Sequence, residues 1–193
     1  PVYLLGTETA DFAVDELKVT APNLKTEYTG TVQTTASCKL YNYGTVGSKT
    51  VKLSIRKGGT EIAQSSKAVT LANGANAISL MVGVSAPALW DIGKPNLYTA
   101  AVLVDDTEVG SEVFGYRWTS WDVDTGFWLN GKNVKLKGVC MHHDLGCIGA
   151  EANRSAMERQ IDSMVAMGAN AIRLTHNPGS TMFLELCRDK GVL

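Results

Sequence analysis

All three histidines of this 193-residue chain stand just beyond two short apolar segments. Residues 134–139 run into Cys140-Met141-His142-His143-Asp144. Residues 170–174 run into Thr175-His176-Asn177-Pro178, with Arg173 just inside the second end. An imidazole can bind, shuttle a proton or ligate a metal near neutral pH, and a guanidinium is built to hold a carboxylate. A lone histidine in a loop is more often structural or solvated than functional. Three out of three at two segment ends make His142 and His176 the candidates, with His143 secondary because neighbours on extended backbone point opposite ways. Arg173 is expected to be at least partly buried and so to need an anionic partner, either a structural carboxylate or an anionic catalytic residue. Cys140, His142, His143, Asp144 and Cys147 include zinc-ligand types, but no ligand spacing among them supports a metal site.

These segments belong to a repeat. A hairpin at residues 127–129 turns at Asn130-Gly131 and leads into a strand at 134–139. A helix over 154–167 places Met157, Ile161, Met164 and Val165 on one face, and Gly168 stops it. A second strand covers 170–174. After Pro178-Gly179 comes a helix over 181–190 with Phe183, Leu184 and Cys187 inward, and Gly191-Val192-Leu193 opens a third strand. Met157, Met164 and Met167 read as core filler, and Arg154, Glu158, Arg159 and Asp162 as a solvated face. Strand and helix alternate as in a parallel α/β architecture, and no glycine-rich phosphate loop follows the first strand. A (β/α)8 TIM barrel is therefore preferred to a dinucleotide fold. In such a barrel the active site lies at the carboxyl ends of the strands, and the whole takes roughly 250 residues. Residues 122–193 supply only about two of the eight units, an incomplete barrel.

Before residue 121 the pattern has a period of two, with Val51, Leu53 and Ile55, then Ile78, Leu80 and Val82, alternating with polar residues. Turn signals at Asn42-Tyr43-Gly44, Lys57-Gly58-Gly59, Asn73-Gly74 and Asp105-Asp106 predict an antiparallel, immunoglobulin-like β-sandwich of about seven strands over residues 1–121. Cys38 is the only cysteine there, so no inter-sheet disulfide can form. The chain is thus expected to be mainly β, a sandwich followed by the start of a barrel. Pro1 opens it within a strand-like run, Val2-Tyr3-Leu4-Leu5, which reads as a cut inside a longer polypeptide, with residues 1–6 the end of a preceding domain. Net charge is −1 with no basic stripe, and no apolar run could span a bilayer, so neither nucleic acid nor a membrane is an expected partner. The location stays open, with a bacterial cytoplasm or periplasm expected.

The stretch Asn170-Ala-Ile-Arg173-Leu-Thr-His176-Asn-Pro178, with an aliphatic helix and Gly191 after it, resembles the first signature of glycoside hydrolase family 2, the β-galactosidase and β-glucuronidase group. Leu129-Asn130-Gly131-Lys132, Lys137-Gly138-Val139 and His142-His143-Asp144 resemble that family's approach to its barrel. Phe114-Gly115-Tyr116-Arg117 resembles its last sandwich strand, and Trp90 with Pro95-Asn96-Leu97-Tyr98 fits its tryptophan-then-proline-leucine-tyrosine pattern. Cys140, Leu174, Asn177 and Arg188 depart from the usual residues. The first three blur which sugar is bound, and Arg188 should matter for packing only.

The resemblance implies retaining hydrolysis of a terminal β-linked sugar by two carboxyl groups about 5–5.5 Å apart. In the family both are glutamates on later barrel strands, so this segment holds neither catalytic residue and should be inactive alone. Asp144, Glu151 and Glu185 do not replace them. The resemblance further implies that His142, Asp144 and His176 bind the sugar and that Arg173 holds the nucleophile and helps keep it ionised. No cofactor is expected within the segment, although a divalent metal elsewhere in the parent fits the family. Gly138-Val-Cys-Met-His-His-Asp144 favours β-galactosidase, with β-glucuronidase and β-mannosidase as alternatives. A scaffold or binding module is the other reading of the sandwich. An unfinished barrel also exposes a parallel edge and an apolar helix face, through which copies could self-associate.

Overall fold

The structure, a computed structural model, describes residues 11–193; the strand-like run at 2–5 and the expected domain end at 1–6 lie outside them. The chain divides into two compact units. One extends to Pro87 and resumes over Leu97–Phe114, and the other joins Ala88–Asn96 to Gly115–Leu193.

Seven strands build the first unit: β1 (Phe12–Thr20), β2 (Thr31–Asn42), β3 (Gly47–Lys57), β4 (Thr60–Leu71), β5 (Gly74–Ser85), β6 (Tyr98–Val104) and β7 (Thr107–Phe114). They form an antiparallel sandwich with one sheet ordered β1-β2-β5 and the other β4-β3-β6-β7. Period-two patterning decides which side of each strand is buried. Val51, Leu53 and Ile55 are fully buried on β3, and Ile78, Leu80, Val82 and Val84 are buried on β5, while the residues between them are mostly exposed or half-buried.

The expected turns sit at four strand junctions. Gly58 and Gly59 both take positive φ between β3 and β4, as do Asp105 and Asp106 between β6 and β7, the backbone a two-residue hairpin needs. Asp105 secures its turn by accepting from the Thr50 amide and Lys49, both at 2.9 Å. A four-residue helix, α1 (Leu24–Glu27), which the strand pattern did not predict, seats Leu24 in the core.

In the second unit β8 (Thr119–Asp122), β9 (Gly126–Leu129) and β10 (Lys132–Asn133) form a small antiparallel sheet. The expected hairpin at Asn130-Gly131 is there, and β8 extends it to three strands. β11 (Gly138–Met141) pairs in parallel with β12 (Ala171–Leu174), and α2 (Arg154–Ala166) and α3 (Thr181–Lys190) connect and follow them. Leu193 continues the pattern by exchanging backbone hydrogen bonds with Asn170 and Ile172.

Several expectations need correction. Residues 134–137 are not strand; β11 starts at Gly138 and takes in Cys140 and Met141. On α2, Met157 and Ile161 are buried but Val165 is exposed, as is Met167 just after the helix, because the apolar stripe is narrower than the sequence suggested. On α3, Leu186 and not Leu184 joins Phe183 and Cys187 in the core. Glu158 and Asp162 are not merely solvated, since both pair with Lys190 and so link α2 to α3.

Burial keeps the Cys38 and Cys187 thiols neutral, each pushed up from 9.0 to about 11. A raised folded-state value means the associated stability is intact below about pH 9 and is lost as pH rises towards 11. Cys140 and Cys147 are exposed. Ellman's reagent at pH 8 is therefore expected to titrate two thiols at once and the other two only after denaturation. Prompt reaction of a third would contradict the buried packing of Cys38 or Cys187.

Candidate active site at the ends of β11 and β12

Register decides which way each candidate points. Cys140 pairs with Arg173 and Met141 with Leu174. Met141 and Leu174 face the helices and pack with Met157, Ile161 and Phe183. Alternation then sends Cys140 and Arg173 to the opposite, inner face, where the Arg173 guanidinium lies 3.8 Å from the Cys140 sulfur. Arg173 is exposed, contrary to expectation, and among the described residues it pairs with no carboxylate. Its neighbours on this face, Gly138 and Ala171, are too small to cover it. This face borders a hollow of about 740 Å³ whose lining includes Arg117, Trp121, Phe127, Leu136, Cys140 and Arg173.

The strands approach closely. A Cβ on Gly138 would sit 2.5 Å from the Ala171 carbonyl oxygen. Gly138→Val should push β11 off β12 and cost on the order of 2–3 kcal/mol, read as a lower denaturation midpoint; an unchanged midpoint would refute the close approach. At the same end the Asn170 side chain accepts from the Lys137 amide at 2.8 Å and donates to the Lys135 carbonyl at 3.1 Å, which fixes the parallel register.

At the opposite end, Thr175 carries the pairing one residue past β12. Its amide donates to the Met141 carbonyl at 2.9 Å and its buried hydroxyl to the same oxygen at 3.3 Å. This tether brings His176 beside His142, with ring centroids 6.0 Å apart and planes at 73°. Both are exposed. Thr175 was not singled out from the sequence, although a short hydroxyl residue directly before the histidine was the available signal. His142 and His143 both line a hollow of about 30 Å³ with Met141, Leu145, Leu174 and Ser180. That volume suits a water or two, not a sugar ring. Neither imidazole lines the larger hollow.

Asp144 is exposed in the following loop, its carboxylate without a hydrogen bond or ion pair among the described residues. Glu151 lies in that loop too, and Glu185 is on α3. Leu174 fits where it is because Gly179 has no side chain: a Cβ there would come within 2.4 Å of Leu174. Among the described residues no three His, Cys, Asp or Glu side chains gather to hold a metal ion, and no helix is long and apolar enough to cross a membrane.

Two descriptions cover almost all of the chain: "Glycosyl hydrolases family 2" matches residues 12–117, and "Glycosyl hydrolases family 2, TIM barrel domain" matches residues 123–193. The chain belongs to glycosyl hydrolase family 2. The first match is the family's sandwich and the second is the start of its barrel. Among family 2 relatives, the β-galactosidase BoGH2A of Bacteroides ovatus is 44% identical over 114 residues, which are 57% of this chain and 13% of that protein. A β-glucuronidase of Bacteroides fragilis is 30% identical over 164 residues, 82% of this chain and 24% of that protein. The chain thus spans about a quarter or less of these relatives. A solved family 2 member from Bacteroides cellulosilyticus superposes with a TM-score of 0.84 at 31% identity, covering 94% of this chain and 24% of the other. Bacteroides uniformis β-glucuronidase 2, solved in covalent complex with cyclophellitol-6-carboxylate aziridine, gives 0.81 at 28% identity over 92% of this chain and 22% of its own.

Proposed function

We propose that the chain is the sandwich and first barrel strands of a retaining exo-β-glycosidase acting on terminal β-D-galactosides. The observation that carries this is the His142–His176 pair at the carboxyl ends of adjacent parallel strands, where barrels of this kind hold their substrates. In this reading His142, His176 and Asp144 contact the hydroxyls of the terminal sugar. Arg173 holds the carboxylate nucleophile, supplied by a later barrel strand; until that carboxylate is beside it, the guanidinium stays solvated. The two glutamates of the double displacement lie beyond Leu193, one protonating the leaving oxygen and the other attacking the anomeric carbon. Up to residue 121 the sandwich acts as a spacer.

β-Glucuronidase is the second reading, favoured by the Bacteroides fragilis relative that matches 82% of the chain. β-Mannosidase is the third. The full-length enzyme, assayed with p-nitrophenyl β-D-galactoside, β-D-glucuronide and β-D-mannoside, should cleave the galactoside best, while the 193-residue chain releases no nitrophenol. A full-length preference for the glucuronide selects the second reading. Turnover by the purified short chain would sink the assignment of the glutamates.

A further inference from the structure

We propose that the outer face of the β1-β2-β5 sheet binds an oligosaccharide. This site rests on sandwich residues alone and is independent of the barrel chemistry.

The register between β1 and β2 jumps from Asp15↔Lys39 to Lys18↔Ser37, so β1 carries one extra residue, and Glu16 takes φ +53° there. Such a bulge bends its strand and re-aims its side chains. Here it frames a hollow of about 630 Å³ bordered by Glu16, Lys18, Ser37, Lys39 and Ser79 over the methyl of Ala77. Tyr41 and Tyr43 follow Lys39 on the same face, their ring centroids 6.1 Å apart and their planes 13° from parallel. Tyr41 is flanked in register by Ala13 and Ala75, so neither adjacent strand has a directly opposed side chain large enough to cover its ring. Tyr43 is 61% exposed.

The chemistry selects the ligand. A pyranose offers a C–H face that packs on an aromatic ring and a rim of hydroxyls that both donate and accept, and the exposed Tyr43 ring, backed by Tyr41, suits one such sugar beside the polar hollow. Serine hydroxyls, ammonium donors and the Glu16 carboxylate provide the matching partners. Lys18 and Lys39 are balanced by Asp15 and Glu16, with Lys39 and Glu16 directly paired, so the face carries no field to hold a polyanion. β2 is hydrogen-bonded on both sides, so the centre of this face has no open backbone edge to add a peptide strand.

The test is affinity electrophoresis of the 193-residue chain through gels cast with β-1,4-galactan, xylan or polygalacturonate. Retardation is expected with at least one of the two neutral polysaccharides. Tyr41→Ala/Tyr43→Ala should raise the dissociation constant roughly tenfold or more. Ala77→Arg, which fills the floor of the hollow from the solvent side, should do the same, and His142→Ala/His176→Ala should leave binding intact. The proposal falls if no gel retards the protein, if only polygalacturonate does, or if retardation survives Ala77→Arg. It also falls if retardation is lost with the histidines.

Discussion

Replacing His176 with Ala in the full-length enzyme is expected to lower kcat/KM by about 100-fold or more, roughly 2.7 kcal/mol of transition-state stabilisation. Hydrogen bonds to sugar hydroxyls strengthen as the ring distorts towards the oxocarbenium-like transition state, so the loss should fall mainly on kcat. The adjacent ring makes the prediction sharper. With His142 and His176 6.0 Å apart, two groups holding one sugar should be coupled, and the double variant should lose less than the product of the single effects. The measurement is steady-state kinetics of both single variants and the double on an aryl β-galactoside. Unchanged kinetics for His176→Ala would remove it from the site. Strictly multiplicative losses would mean that the two rings do not share a ligand.

The largest stability effect is expected at Trp90, a 1% exposed side chain in the segment that joins the second unit. Its indole nitrogen donates to the Arg188 carbonyl, its own carbonyl accepts from the Asn130 side chain, and its amide donates to Tyr116, each at 2.8 Å. The Arg117 guanidinium lies 4.3 Å from the ring centre. Gly115 leaves room for the ring, since a Cβ there would come within 2.9 Å of its Cγ and Cδ1. Trp90→Ala opens a cavity and orphans the carbonyl at the end of α3, for about 3–5 kcal/mol. Hydrogen exchange should then show lost protection in β11, β12 and α3 with β2, β3 and β6 unaffected, and Trp90→Phe should lose less. Equal loss across both units would refute a role confined to the second.

The resemblance near residue 90 marks this tryptophan, but nothing in the linear pattern says what it holds. Its partners Asn130 and Arg188 are 40 and 98 residues away. Arg188 stood out only as a departure from the family's usual residue, and what the indole uses is its backbone oxygen, which any residue would supply.

Local chemistry made much of the fold legible. The apolar alternation on β3 and β5, glycine and aspartate at positions of positive φ, and the helical spacing of Met157 with Ile161 and of Phe183 with Cys187 each follow from one residue and its near neighbours, so the seven-strand sandwich and both helices could be read directly. That three histidines and one arginine fall at two strand ends was legible too, whatever the packing. Tertiary structure alone decided where they point. Parallel register sends Arg173 to the inner face with Cys140, and the Thr175–Met141 tether sets His176 against His142. The bulge at Glu16 and the pairing of the half-buried Tyr41 ring with the exposed ring of Tyr43 were equally invisible in the sequence. Each depends on which residue of another strand lies opposite, a pairing that hydrogen bonds between distant segments fix and that no residue encodes by itself.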